Sequence, residues 1–360
     1  MPEVILYTRG IQRATEEIVG AGGRITQQFG VKAVVADIPE TVDLRSFKYA
    51  KTTPPKGLDN ATKLLVETWR AGGEPREALA PDLQEGISWD APGYAEPLNF
   101  QSEPKPTVKS RSKRTAKSAK PDDSDDDKPA ESTGTPTSRY MIGSIAVGII
   151  MVSGPNNLAL SDVEQRQVIS EVQEGLRFLA NAEPCARITF VYDVKHITVD
   201  VQPGDTSDYE KAEAPWRNAA LKAMGFAASR QGSVTYVRDL QRKRNTQWAY
   251  VGYFTKYPLR HFAYAIDEKL VMSYDNDGWG PARINQVFAH ETCHIFGAAD
   301  EYGRCTCHGS GELNAPNANC VNCTAPGNSQ LPCLMNKNEL VLCLHSRKQI
   351  GWDAQLFPRP

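Results

Sequence analysis

Apolar positions near the C-terminal end recur at helical spacing: Ile284, Val287, Phe288, Ile295 and Phe296 form one stripe. That segment follows the turn-forming Asp275-Asn276-Asp277-Gly278. Pro281 suits its first turn, and Gly297 can end it in the left-handed conformation. Upstream, residues 141–152 are apolar almost throughout, which predicts a buried strand. Ser161-x-x-Glu164 is a capping box opening a helix to about Ala180, with Val168, Ile169, Val172, Leu176 and Leu179 on its inner face. Strands are predicted over residues 188–194, 196–201, 233–237 and 248–254, with a shorter helix after Pro215. Residues 262–266 and 270–274 predict a hairpin turning at Asp267-Glu268, and residues 340–352 a closing helix.

The first fifty residues alternate as a βαββ-like unit. Strands are expected over 4–7, 24–28 and 32–38, and a helix over 12–21, stopped by Gly22-Gly23. Residues 59–71 add a further helix. Then the pattern changes. Residues 105–120 are basic and Ser-rich, and Asp122-Asp123-Ser124-Asp125-Asp126-Asp127 is acidic. So few apolar residues cannot offset the entropy of ordering, so a disordered, solvated tether is expected. Arg111 and Lys113-Arg114 should be open to proteolysis, and a cut there should free the C-terminal part. The expected division is a small domain over 1–73, an extended segment and charged linker over 74–139, and a catalytic domain over 140–360.

Composition narrows the partners. With 360 residues, 40% of them hydrophobic, there is room for two domains and a core. A net charge of −2 argues against a generally basic nucleic-acid binder. No apolar stretch reaches the ~18 residues a membrane span needs. The N-terminus lacks a signal-like basic and apolar pattern. A cytoplasmic protein, export by a route without such a signal, or a chain lacking its leader would each fit.

The chemistry concentrates in His290-Glu291-Thr292-Cys293-His294-Ile295-Phe296-Gly297-Ala298-Ala299-Asp300. On a helix His290 and His294 lie one turn apart on the same face, so two imidazoles can bind one cation. After a turn at Gly297, Asp300 can return as a third ligand. Two imidazoles and one carboxylate leave a tetrahedral position open for water, as a catalytic zinc requires. Glu291 is placed to take a proton from that water as general base. His196 and His261 stand outside this pattern and are expected to be ordinary strand or surface residues.

H-E-x-x-H-x-x-G-x-x-D resembles the zinc signature of the metzincin clan of metalloproteases, in the snapalysin-like variant with Asp in place of a third His. Pro332-Cys333-Leu334-Met335-Asn336 is similar to the clan's Met-containing turn, which implies Met335 as the hydrophobic floor beneath the metal. The resemblance implies His290, His294 and Asp300 as zinc ligands, Glu291 as base, and a protein or peptide substrate. It also implies an α+β fold: a mixed twisted sheet, the zinc helix and a Cys-rich C-terminal subdomain. In the clan an edge strand before the zinc helix pairs with substrate, and residues 270–274 are the expected counterpart. The stretch from Ala21 to Pro39, A-G-G-R-I-T-Q-Q-F-G-V-K-A-V-V-A-D-I-P, resembles subtilisin-type propeptides. That implies a small α/β-plait domain that chaperones or inhibits, and hence a latent enzyme. No cysteine precedes Cys185, so a cysteine latch from that region is excluded, leaving a carboxylate latch or steric cover.

Six of the eight cysteines fall between 305 and 343. Cys305, Cys307, Cys320, Cys323, Cys333 and Cys343 could form three disulfides that staple a loop-rich lobe. Alternatively, Cys305, Cys307, Cys320 and Cys323 could hold a second, structural zinc. Cys293 and Cys185 are expected as simple thiols. Two other functions compete with proteolysis: a binding module whose zinc site is catalytically silent, and a Cys-rich zinc-stapled interaction domain.

Overall fold

A computed structural model describes residues 2–72, 137–303, 305–309, 313, 315–323 and 330–353. Nearly all of the expected extended segment and linker, with Arg111 and Lys113-Arg114, lies outside the described residues.

The long apolar run becomes β5 (Ser144–Ser153), and the sheet is built around it. It pairs in parallel along its full length with β6 (Thr189–Thr198), and on its other side with β7 (Trp248–Thr255). A parallel strand with partners on both sides is covered on both faces, hence a continuous apolar run rather than an alternating one. Ile145, Val147, Ile149 and Met151 enter the core on one face, and Ala146, Ile150 and Val152 the core on the other. The N-terminal strands are β1 (Glu3–Thr8), β2 (Arg24–Phe29), β3 (Ala33–Asp37) and β4 (Ala50–Lys51), and the late hairpin is β8 (Ala263–Ile266) with β9 (Lys269–Ser273). Among the described residues these form one mixed sheet in the order β4-β1-β3-β2-β6-β5-β7-β9-β8. The protein is α+β.

Helices cover both faces. Those of the N-terminal region are α1 (Ile11–Gly20) and α2 (Asn60–Ala71), the latter capped by the Asp59 side chain. On one face of the sheet lie α2, α3 (Asp162–Ala182) and α6 (Ile284–Ile295); on the other lie α4 (Tyr209–Ala223) and α5 (Arg230–Arg244). Two short helices follow, α7 (Leu334–Lys337) and α8 (Leu344–Gln349). The capping box forms as expected: Ser161 N donates to Glu164 Oε2 at 2.7 Å, and Glu164 N to Ser161 Oγ at 3.3 Å.

Four expectations are corrected. Residues 233–237 lie within α5: Ser229 caps it, and Ser233, Tyr236, Val237 and Leu240 are buried at helical spacing. A short run of β-branched and aromatic residues looked like a strand until packing on one side decided otherwise. Residues 188–201 hold one strand, β6, rather than two, because β5 offers it a partner throughout. The helix placed after Pro215 starts earlier, at Tyr209 behind an Asp208 cap, with Pro215 inside it. Finally, residues 270–274 are not the sheet's edge. β9 pairs with β7 on one side and β8 on the other, so β8 is the terminal strand.

The approach of α3 to α6 is close. A Cβ on Gly175 would stand 2.4 Å from the backbone oxygen of Asn285. At an exposed helical site, Gly→Ala would stabilise by up to ~1 kcal/mol. Here the backbone clash should reverse the sign, and Gly175→Ala is expected to cost about 1–3 kcal/mol. Urea unfolding checks this; a raised midpoint would mean the helices are further apart.

Candidate metal centre

The α6 helix carries His290 and His294 on one face, their Nε2 atoms 3.0 Å apart. Each ring is held by its other nitrogen: His290 Nδ1 lies 2.9 Å from Leu334 O, and His294 Nδ1 lies 2.8 Å from Ala298 O. With Nδ1–H donating to a carbonyl, each neutral ring presents a bare Nε2 lone pair to the same point. Gly297 at φ 94° turns the chain back, which a side chain would resist, and Ala298 N then bonds Cys293 O at 3.0 Å. The returning loop is pinned by Ala299 N on Gln349 Oε1 (3.0 Å) and Asn317 Nδ2 on Asp300 O (2.7 Å). Asp300 Oδ1 thereby sits 3.1 Å from one Nε2 and 3.2 Å from the other.

These three donors fit a zinc ion. Tetrahedral bonds of about 2.0–2.1 Å set ligand atoms about 3.3 Å apart. Three acceptor atoms so close repel unless a proton or a cation lies between them. The fit rests on the chemistry of the donor set. Burial disfavours the charged ring of His294, but the Asp300 carboxylate outweighs it and lifts the group to about 9. Burial would raise Asp300, yet the two rings hold it far below the ordinary carboxylate range.

That pairing has a pH consequence for metal-free protein. The pKa of His294 rises on folding from its usual 6.5. Its contribution is therefore complete below about 6.5 and is lost as pH rises through about 9. Asp300 acts oppositely, losing its contribution as pH falls through its depressed pKa. With chelator present, the melting temperature should drop between about pH 7 and 10, and Asp300→Asn should flatten that drop. An unchanged slope in the variant would disconnect the pair from stability.

Glu291 lies beside the rings and is 1% exposed. Its Oε2 has no hydrogen-bond partner, and burial raises its pKa against the pull of His294 and His290. Met335 is fully buried in α7, directly after the Leu334 carbonyl that orients His290. Cys293 is a buried thiol whose pKa burial pushes well up, so it is inert. His196 meets Ser153 Oγ at 2.7 Å, outside the cluster. His261 is pinned to Ala263 O at 2.6 Å, and burial holds its ring down at about 4 although the charges of Asp277 and Asp300 act on it.

Glu301 was missed as a structural residue. Fully buried, it accepts from Asn319 Nδ2 (2.6 Å), Asn336 Nδ2 (3.1 Å), Ser346 Oγ (2.7 Å) and Cys343 Sγ (2.9 Å). Its backbone N–H bonds Met335 O at 2.9 Å. One carboxylate thus ties the Asp300 loop to the turn that holds His290. No sequence period marks it; only its place after Asp300 could have hinted at this.

The cysteine lobe contains two disulfides, Cys305–Cys320 and Cys307–Cys323. Paired so, those four sulfurs are not thiolates, and the structural-zinc reading loses its ligands. The third expected disulfide is absent too: Cys333 and Cys343 are buried thiols beside Glu301. Each closed loop spans a separation of 15 or 16 residues, for which a crosslink contributes about 3 kcal/mol. A Cys305→Ser/Cys320→Ser pair should lose about 2–3 kcal/mol in chemical unfolding. No loss would place the lobe outside the cooperative unit.

The cluster of two imidazoles and a carboxylate, with a buried acid alongside, defines a candidate site for one metal ion. No protein-family model matches the chain, and no curated protein matches it. Among solved structures it has a weak likeness to a zinc-dependent peptidase from Methanocorpusculum labreanum (strain Z), at 15% identity and a TM-score of 0.24. The match covers 57% of this chain and all of that one. A likeness so slight carries no argument about this chain.

Proposed function

We propose that this chain is a zinc-dependent endopeptidase of the metzincin type, acting on protein or peptide substrates. The observation that carries the reading is the convergence of His290 Nε2, His294 Nε2 and Asp300 Oδ1 within 3.0–3.2 Å of one another. Those three residues hold the ion, and Met335 underlies it. Bound zinc supplies Lewis acidity at a carbonyl oxygen and makes nearby water acidic at neutral pH. Glu291 accepts the proton of the attacking water at its carboxylate and returns it to the departing amine. Its unpartnered Oε2 favours this role over a catalytically silent clamp, which has no use for a buried acid beside the ion.

The test is a peptide library incubated with the zinc-loaded protein. Internal cuts should appear, stop on chelation and return with zinc. A protein that binds zinc tightly yet cuts nothing would sink the peptidase reading and leave the metal site standing.

A further inference from the structure

The N-terminal unit is not laid over the metal cluster. Its strand β2 continues the main sheet, pairing in parallel with β6 at Gln27–Phe190, Gln28–Val191 and Phe29–Tyr192. It joins the edge opposite β8, the strand beside α6. The seam is polar at its centre, and the side-chain amides of Gln27 and Gln173 find their partners across it. Gln27, fully buried, donates to Gln173 O at 3.1 Å and accepts from Tyr192 OH at 3.1 Å. Gln173, 2% exposed on α3, donates to Leu65 O (2.9 Å), and its Oε1 accepts from Thr68 Oγ1 (3.0 Å), both on α2. At the rim Arg24 donates to Ala180 O at 2.6 Å and Thr189 Oγ1 to Ile25 O at 2.7 Å. Around them Phe29, Val35 and Leu65 share one core with Val172, Leu176, Phe190 and Tyr192.

Separation would cost three things at once. The two buried amides would lose their partners, the shared apolar core would be opened to water, and β6 would become an exposed sheet edge. None of these depends on the covalent connection between the units. We infer that residues 2–72 are a permanent half of one folded particle: cutting the chain between the halves leaves them bound through β2–β6 and the α2–α3 seam. Release on cleavage, expected from the sequence, does not follow. The unit instead braces α3, whose other side meets α6 at Gly175 and Asn285. The inference is independent of any catalytic reading.

The experiment uses the full chain with a sequence-specific protease site replacing residues 111–114. It is folded, cut to completion and passed over a sizing column at about 1 μM. A dissociation constant of about 10 nM or tighter keeps roughly nine-tenths of the pieces together there. Co-elution as one particle, melting in one transition, is the expected result. Two separate pieces would overturn the inference. Gln27→Glu removes the donor to Gln173 O and sets a charge against that carbonyl, so the cut pieces should hold at least about tenfold more weakly. Arg24→Ala at the rim is the milder variant, should the first not fold, and is expected to weaken the hold by a few-fold. Cut variants that hold as tightly as the parent would also overturn it, since the pieces would then be joined elsewhere.

Discussion

On the proposed reading, Glu291→Ala is expected to abolish measurable peptide hydrolysis, with kcat/KM falling by at least about 10²–10⁴-fold. The side chain is buried and its Oε2 is bonded to nothing, so it does not hold the fold together. Its raised pKa records that burying the carboxylate is unfavourable. Removing it should therefore leave the melting temperature unchanged or higher, the pattern of a residue kept for activity at the expense of stability. Zinc content should be unaltered, because the three donors and the carbonyls orienting them are untouched. Activity on a fluorogenic peptide, metal analysis and calorimetry together check this. Turnover within tenfold of the parent would remove Glu291 from the chemistry; lost zinc would make it a ligand instead.

Asp300→Ala is expected to lower zinc affinity by more than about 100-fold, beyond the 10–100-fold typical of a partner that only orients a ligand. The substitution isolates the carboxylate, since the loop is held by backbone groups. Asn317 bonds Asp300 O, Gln349 bonds Ala299 N, and Glu301 N bonds Met335 O. The loop should keep its course in the variant. Peptide hydrolysis should fall with the metal and return only in part at high zinc. Competition against a chromophoric chelator measures the affinity. A change smaller than tenfold would show that the carboxylate is not a ligand, and the likeness to a three-donor zinc site would fail with it.

The parts of this chain legible in advance were those with local causes. The α3 capping box, the Asp59-capped α2, the Gly297 turn and the β8–β9 hairpin are each set by residues within a few positions of one another. His290 and His294 were legible because a helix converts a spacing of four into a shared face. Asp300 was expected to return toward the same point after the Gly297 turn, and the structure brings it to both rings. The errors were of another kind. Val234-Thr235-Tyr236-Val237 has strand-forming residues, but Ser229 caps a helix there and the sheet face buries one side. The hairpin was foreseen, but not which of its strands would pair with β7.

What the sequence determined by itself is the helix bearing both histidines, its turn and the donor types, because their geometry is local and a few covalent steps suffice to state it. It also determined that the cysteines from 305 onward would be crowded together. Tertiary structure decided the rest. The carbonyls of Leu334 and Ala298 fix the two tautomers, Glu301 knots the loops, four sulfurs pair while two stay reduced, and β2 joins β6. Apart from the Ala298 carbonyl, which lies within the local turn, those contacts link residues from 15 to more than a hundred positions apart, with no period to announce them. Which of many such pairings forms depends on the summed burial and hydrogen bonding of the whole fold, and no single segment carries that sum.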